Sequence, residues 1–279
     1  MSYRNKYVPK KIMHKIQIYH HNIKGNVLPK NATTILDIGS GKLNDLNHWR
    51  KAKISVVYCI EIDKNSIDLG KKIYKKYLSI YKWMPKIIYI NDDALNPNLI
   101  KKDSLLYPAR EQINHVICNF AFHYFMKNKQ TFKRIMDLIN FCLKPGGSFR
   151  FMTLNGDIIN NLLQNKKKHI ISIYNQYNIY KIIKMWDTEK DIGQKINVYV
   201  LSIGKWHEEN LIKPSIIIPL IKKNYPCFFN TKLKSFSEFQ NIIIRDIVGN
   251  VIPNFNMKPE EKEMSFLHVY IEFKKMLIC

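Results

Sequence analysis

Residues 33–41, TTILDIGSG, constrain the fold of this chain more than any other stretch. A β-branched and apolar run, interrupted by Asp37 alone among charged residues, passes into Gly39-Ser40-Gly41, so a buried strand is expected to end in a tight turn. The pattern then recurs. Strands are expected at 54–60, 86–91, 114–119 and 148–154, and helix-spaced apolar residues fill 43–51, 66–81 and 129–143 between them. Strands alternating with helices make a parallel sheet covered on both faces, so the expected fold class is α/β.

The flanks keep a different rhythm. Residues 9–24 place Ile12, Ile16, Tyr19 and Ile23 on one helical stripe opposite lysines and histidines, and residues 25–31 break that helix. Beyond residue 155, two strands of a hairpin are expected at 176–184 and 195–203, a Pro-flanked helix at 214–224 and a last strand at 266–275. With no repeat or low-complexity linker, the chain reads as a single domain. It comprises a basic helical arm (1–30), a cofactor-binding half (31–155), and an insertion with C-terminal strands (156–279).

Of the 279 residues, 46% are hydrophobic, enough for a core, and the formal net charge is +23. Such an excess points to a polyanionic partner, the plainer alternative being charge spread over solvated faces. Five widely spaced cysteines without a C-x-x-C pair suggest neither a disulfide framework nor a zinc site, so no metal is expected. No apolar run reaches the roughly 18 residues of a membrane helix, and the first residues lack a signal-peptide core. The expectation is a cytoplasmic or nuclear protein, neither secreted nor membrane-bound.

Ligands of open parallel sheets lie beyond the carboxyl ends of the strands, where Asp37, Gly39 and Gly41 fall. Glu61 closes the second strand about twenty residues later, where a carboxylate can accept from two ribose hydroxyls. Asp92-Asp93 closes the third, at the position for an adenine amine, although either residue would serve equally well as a turn cap. A dinucleotide and S-adenosylmethionine both suit such a crevice. Asn44 replaces the third glycine of G-x-G-x-x-G, which disfavours the pyrophosphate and leaves methyl transfer preferred.

These residues resemble the messenger-RNA cap guanine-N7 methyltransferases, particularly those of large DNA viruses, over most of the chain. LDIGSGKLNDL (36–46) is similar to the family's L-D-L-G-x-G-K-G-x-D-L, and NFAFHY (119–124) to the segment whose His-Tyr pair borders the cap guanine. Arg4, Asn5 and Lys11 look like the family's N-terminal R-N-x-x-x-x-x-K, and HEENLIKPSIIIPLIKKNY (207–225) like the stretch whose glutamate meets the guanine's N1 and N2 hydrogens, aligned on Glu209 rather than Glu208. FLHVYIEFKK resembles the strand that supplies a cap-facing ring; here that residue is His268, with Tyr270 on the same face.

The resemblance implies a Rossmann-like class I methyltransferase with a seven-stranded, mostly parallel sheet and a small β insertion. It also implies S-adenosylmethionine as cofactor, bound by Lys11, Asp37, Gly39, Gly41, Glu61, Asp92, Asp93, Asn119 and Phe120, and a cap guanine bound by His123, Tyr124, Glu209 and His268. The partner it implies is capped RNA, with a stimulatory subunit or further capping-enzyme domains as possible additions. Guanine N7 has a free lone pair, so transfer from a sulfonium needs positioning and no general acid or base. Leu43 stands where the family has glycine, and no K-x-D-G nucleotidyl-lysine motif occurs. Two other readings stay open: methylation of another substrate, and a non-catalytic RNA-binding subunit on the same scaffold. Taken singly, His123 and Tyr124 fit core packing, Glu209 fits a surface acid, and Trp49, Trp83, Trp186 and Trp206 fit core or hairpin packing.

Overall fold

A computed structural model describes residues 13–29, 33–164, 169–174, 177–201, 203–246 and 249–277. Its elements in chain order are α1 (His14–Val27), β1 (Thr34–Ile38), α2 (Leu46–Lys51), β2 (Val56–Glu61), α3 (Lys64–Ile80), β3 (Lys86–Asn91), β4 (Ile113–Asn119), α4 (Lys129–Cys142), β5 (Leu143–Leu154) and α5 (Gly156–Gln164). There follow β6 (His169–Tyr174), β7 (Tyr177–Lys184), β8 (Lys195–Val200), β9 (Lys205–Asn210), α6 (Pro214–Asn224), β10 (Phe228–Ser235), α7 (Pro259–Phe266) and β11 (His268–Lys275).

Seven strands form the main sheet in the order β10-β11-β5-β4-β1-β2-β3, and β11 alone runs against the others. The chain steps outward from β1 to β2 and β3, then returns to β4 on the other side of β1. That reversal opens a crevice beyond the carboxyl ends of β1 and β4. Local chemistry starts the helices: Asp63 accepts from the N–H groups of Asn65 and Ser66 to cap α3, and Asn128 and Thr131 form a reciprocal capping box on α4. On α4, Phe132, Ile135, Met136 and Ile139 are buried against the sheet, each contributing about 1.5–3 kcal/mol.

Several expectations need correction. Gly25 does not end the first helix; it lies within α1, where an added Cβ would meet the His48 ring at 2.7 Å, so the bare backbone lets α1 approach α2. The helix expected from residue 43 begins at Leu46, because Leu43 takes a left-handed conformation at φ 60° with its side chain buried. The departure from glycine at Leu43 is accommodated by packing against Leu46, Trp49 and the α3 face. The hairpin is two strands of a four-stranded antiparallel sheet, β6-β7-β8-β9; neither outer member alternates, since β6 (HIISIY) sets apolar residues side by side and β9 (KWHEEN) is mostly polar. Strand β10 and helix α7 were also not foreseen. Trp83 is 43% exposed, unlike a core residue, whereas Trp206, 46% exposed, packs on Tyr199 across β8 and β9 with ring centres 5.4 Å apart, as hairpin packing requires. Cys59, Cys118 and Cys142 are free and buried, whereas Cys227 is disulfide-bonded, which the spacing did not suggest.

Candidate active site

At the crevice, the turn after β1 is tied to the end of β2. Gly39 N–H donates to Ile60 O at 2.9 Å, and Gly41 N–H donates to Glu61 Oε2 at 2.8 Å. Gly39 has φ 74°, and a Cβ there would lie 2.7 Å from the Ala121 Cβ, so only glycine lets the β1 and β4 turns pack this closely. A Cβ on Gly41 would meet nothing within 4 Å, so that side of the turn is open. Asp37 is buried, and burial followed by the charge of Asp45 pushes its carboxyl well above the ordinary range.

Lys24 of α1 reaches into this network. Its Nζ lies 2.8 Å from Asp45 Oδ1 and 5.7 Å from the centre of the Phe120 ring, while Asn119 Nδ2 donates to Asp45 Oδ2 at 3.2 Å. The Asp45 carboxyl is raised by burial but carried below its ordinary value by Lys24 and His48. At the end of β3, Asp92 accepts from Asp93 N–H on Oδ1 and from Asn96 Nδ2 on Oδ2, both at 2.7 Å. Asp93 accepts from Leu95 N–H on Oδ1 at 2.9 Å and is the more exposed of the two. Asp92 therefore has both oxygens engaged within the turn, and Asp93 has Oδ1 engaged.

Next to the crevice lies a cavity of about 470 Å³ whose walls include His20, Phe120, His123, Tyr124, Glu209 and His268. Strand β9 carries Glu209, and the 3₁₀ turn Phe122–Met126 that follows β4 carries the His-Tyr pair. Asn210 Nδ2 donates to His123 O at 3.0 Å, clamping β9 to that turn. Glu209 Oε1 lies 2.8 Å from His207 Nε2, and Oε2 lies 3.6 Å from His123 Nδ1. Burial raises the Glu209 carboxyl, but the His207 hydrogen bond and the imidazoles of His123 and His268 carry it below its ordinary value. The hydrogen bond to Glu209 in turn lifts the His207 imidazole against the effect of burial. The pair therefore places an ionised carboxylate in a cavity also walled by Tyr180, Ile182 and Val198.

His123 is buried, burial lowering its imidazole against the pull of Glu209, and its Nε2 has no hydrogen-bond partner among the described residues. Tyr124, its ring centre 4.0 Å from that of His123, is 56% exposed and joins the two halves of the site: burial first, then the charges of Glu209 and Glu61, raise its phenol. His268 is buried with Nδ1 at 3.2 Å from the carbonyl oxygens of Met264 and Ser265, and its ring lies nearly parallel to that of Phe236.

The cavity thus gathers Phe120, His123, Tyr124, Glu209 and His268, while Asp37, Gly39, Gly41, Glu61, Asp92, Asp93 and Asn119 stand at or just beyond the carboxyl ends of β1 to β4. Lys11, with Arg4 and Asn5, lies outside the described residues. Tyr270 does not reach the cavity lining; its hydroxyl donates to Glu272 Oε2. Three residues were missed. Lys24 belongs to the basic face expected of the first helix and was not singled out there, although its place four residues after His20 puts it one turn along the same side. His20 stacks on Phe120, and His207 lies two residues from Glu209 on the same face of β9; neither has a local signal beyond residue type. His21, Asp45 and His48 bring ligand-type atoms within 4.8 Å of one another. Lys24 and Asn119 already engage both Asp45 oxygens, and His21 Nδ1 faces His48 Nε2 at 3.1 Å, so this is a hydrogen-bonded cluster.

A parallel sheet with one reversed strand and an acid-lined crevice at its switch point is the fold of S-adenosylmethionine-dependent methyltransferases. The chain is similar to one of these from Clostridium acetobutylicum, with a TM-score of 0.53 at 13% identity, over 97% of this chain and 93% of that one. Within that class, residues 10–205 match the mRNA (guanine-N(7))-methyltransferase domain, and the chain belongs to that family. It is 25% identical over 240 residues to an mRNA-capping enzyme of African swine fever virus (isolate Tick/South Africa/Pretoriuskop Pr4/1996), across 78% of this chain and 27% of the relative. It is 33% identical over 141 residues to the mRNA cap guanine-N(7) methyltransferase of Drosophila melanogaster, across 48% of this chain and 32% of the relative. The chain spans about a quarter of the length of the viral relative. Among the described residues, no helix is long and apolar enough to cross a membrane.

Proposed function

We propose that this chain methylates N7 of the guanine cap of messenger RNA with S-adenosylmethionine as donor. The observation that carries the reading is Glu209, a carboxylate kept ionised by His207 inside a cavity beside Tyr124 and His123. Guanine presents two adjacent donors, N1–H and the 2-amino group, and a buried carboxylate accepts both. Adenine offers no donor at N1 and would set its own N1 lone pair against the carboxylate, a penalty that discriminates far better than shape.

The residues of the crevice fit the donor. Lys24 would face its methionine carboxylate, Glu61 its ribose hydroxyls and Asp93 its adenine amine, with Phe120 at the junction with the cavity. When bound, S-adenosylmethionine supplies an electrophilic methyl group on a sulfonium. Tyr124 and Glu209 hold the purine, and His123 Nε2 faces its O6 edge, so N7 keeps its lone pair for in-line attack and no protein base is required. Capped RNA is the partner, its phosphates favoured by the +23 formal charge. The compartment follows from that partner: the site of RNA synthesis, whether nucleus or cytoplasmic factory.

Incubation with methyl-labelled donor and either capped or uncapped RNA tests the reading. Labelling confined to capped RNA, released as 7-methylguanine, is expected. Equal labelling of both rejects the cap as acceptor in favour of another substrate, and RNA binding with no labelling and no donor binding favours a non-catalytic subunit.

A further inference from the structure

The end of the sheet opposite the crevice carries a second concave surface. A groove of about 950 Å³ has His21, Asn22, Gly25, Lys51, Lys53 and Arg245 among its walls. It continues, through shared Lys51 and Lys53, into a hollow of about 620 Å³ that adds Arg50, Tyr81, Lys82 and Trp83. Helix α1 belongs to both regions, since Gln17 and His20 line the cap cavity while His21, Asn22 and Gly25 line the groove. The groove is therefore the next concavity along α1 from the proposed cap site.

Its chemistry is one-sided. Five cations line the two hollows, and the acid there, Asp246, has Oδ1 engaged by the N–H groups of Gly249 and Asn250. Burial, Arg50 and Arg245 together hold the Lys51 ammonium below its ordinary range, and the charge of Asp246 offsets them only in part. Aromatic rings interleave with the cations. The Arg50 guanidinium sits 3.8 Å over the Tyr81 ring with Nη2 donating to Asn47 Oδ1 at 3.0 Å, and Trp83 is 43% exposed beside it. Lys53 adds a backbone observation: it has φ 56° just after α2, a position where glycine is favoured, so a charged side chain stands there at a cost of about 1 kcal/mol.

We infer that this groove binds the single-stranded body of the RNA whose cap occupies the Glu209 cavity, with Lys51, Lys53 and Arg245 on phosphates and Trp83 and the Arg50-Tyr81 stack under bases. The inference rests on the proposed acceptor. Cations alone would suit an acidic protein equally; the exposed indole and the stacked guanidinium are platforms for unpaired bases and favour RNA over a peptide. Duplex is disfavoured because its bases present no free faces.

The test uses the full chain, an uncapped, end-labelled 20-nucleotide RNA for fluorescence anisotropy, and two methyl acceptors, a GpppG dinucleotide and a capped 20-mer. The variants are Lys51→Ala combined with Lys53→Gly, and Trp83→Ala. Removing two phosphate contacts should weaken RNA binding about tenfold and flatten the salt dependence by about 1.4 in log–log slope. Trp83→Ala should weaken binding about fivefold or more with the slope unchanged. KM for the capped 20-mer should rise in step while kinetics on GpppG stay the same. Lys53→Gly removes backbone strain, so an unchanged or higher Tm shows that lost binding is not lost folding.

Wild-type anisotropy and slope in all variants would overturn the inference, as would an equal loss on GpppG. Competition by polyglutamate as strong as by RNA of equal charge would assign the groove to an acidic protein instead. If the wild-type protein methylates no cap, the function proposed above fails, and the uncapped-RNA measurement still decides the groove.

Discussion

Glu209→Gln offers the sharpest test of the site, because the side chain keeps its shape and loses only its charge. In the wild-type protein the carboxylate would accept two hydrogen bonds from guanine, each of a charge-assisted kind worth about 1.5–3 kcal/mol. The carboxamide retains one oxygen acceptor, now neutral, and turns an NH2 group against the second donor. Losing one charged bond and weakening the other amounts to about 3 kcal/mol, or about a 10²-fold fall in kcat/KM for capped RNA. Glu209 lies in the cavity and outside the crevice, so calorimetric affinity for S-adenosylmethionine should be unchanged. A cap with hypoxanthine in place of guanine lacks the 2-amino donor. It should be about tenfold poorer for the wild-type protein and nearly equivalent to guanine for the variant. Activity within about threefold of wild type, or loss of donor binding alongside activity, would refute the placement of guanine against this carboxylate.

Lys24→Gln should leave Asp45 as a buried carboxylate without its cation, lowering stability by about 3 kcal/mol in a denaturant titration, and should weaken S-adenosylmethionine binding tenfold or more; unchanged affinity would remove Lys24 from the crevice. Leu43→Gly sets two effects against each other: relief of about 1 kcal/mol of left-handed strain, and loss of a buried leucine worth about 3 kcal/mol. Net destabilisation of about 2 kcal/mol is expected by thermal unfolding, and a more stable variant would show that Leu43 is not held by packing. Burial, reinforced by Arg150, Lys144 and Lys274, lowers the His115 imidazole from 6.5 to about 3. Between these values the unfolded chain takes up a proton that the folded chain refuses, so this stability is present above pH 6.5 and lost as pH falls. At pH 5 the loss is about 2 kcal/mol, from 1.5 pH units at 1.36 kcal/mol each. Denaturant midpoints should show His115→Asn less acid-sensitive than wild type by that amount, and equal sensitivity would sink the assignment.

What the sequence determined by itself was local or periodic. Strand β3 falls at 86–91 and α6 at 214–224 as their patterns require, because side-chain alternation, helical spacing and flanking breakers act within a few residues. The Gly39 turn and Glu61 are legible for the same reason: a φ of 74° demands glycine, and an acid directly after an apolar strand is carried to its end. His123, Tyr124 and Glu209 could be singled out only through resemblance to a family, since neither spacing nor composition joins residues 86 positions apart.

Only the tertiary structure decided how such distant residues meet. Pairing β8 with β9 turns Glu209 and His207 inward, and the clamp from Asn210 to His123 O sets that face against the His-Tyr turn. Ionisation of Glu209 depends on this assembly, because a buried carboxylate needs its partner brought from the fold. Lys24 meets Asp45 because of the path of α1 over the sheet, where Arg150 Nη1 donates to Val27 O. The missed strands β6 and β9 make the same point: their residues do not alternate, and neighbours in the sheet supply the hydrogen bonds that local sequence leaves undetermined.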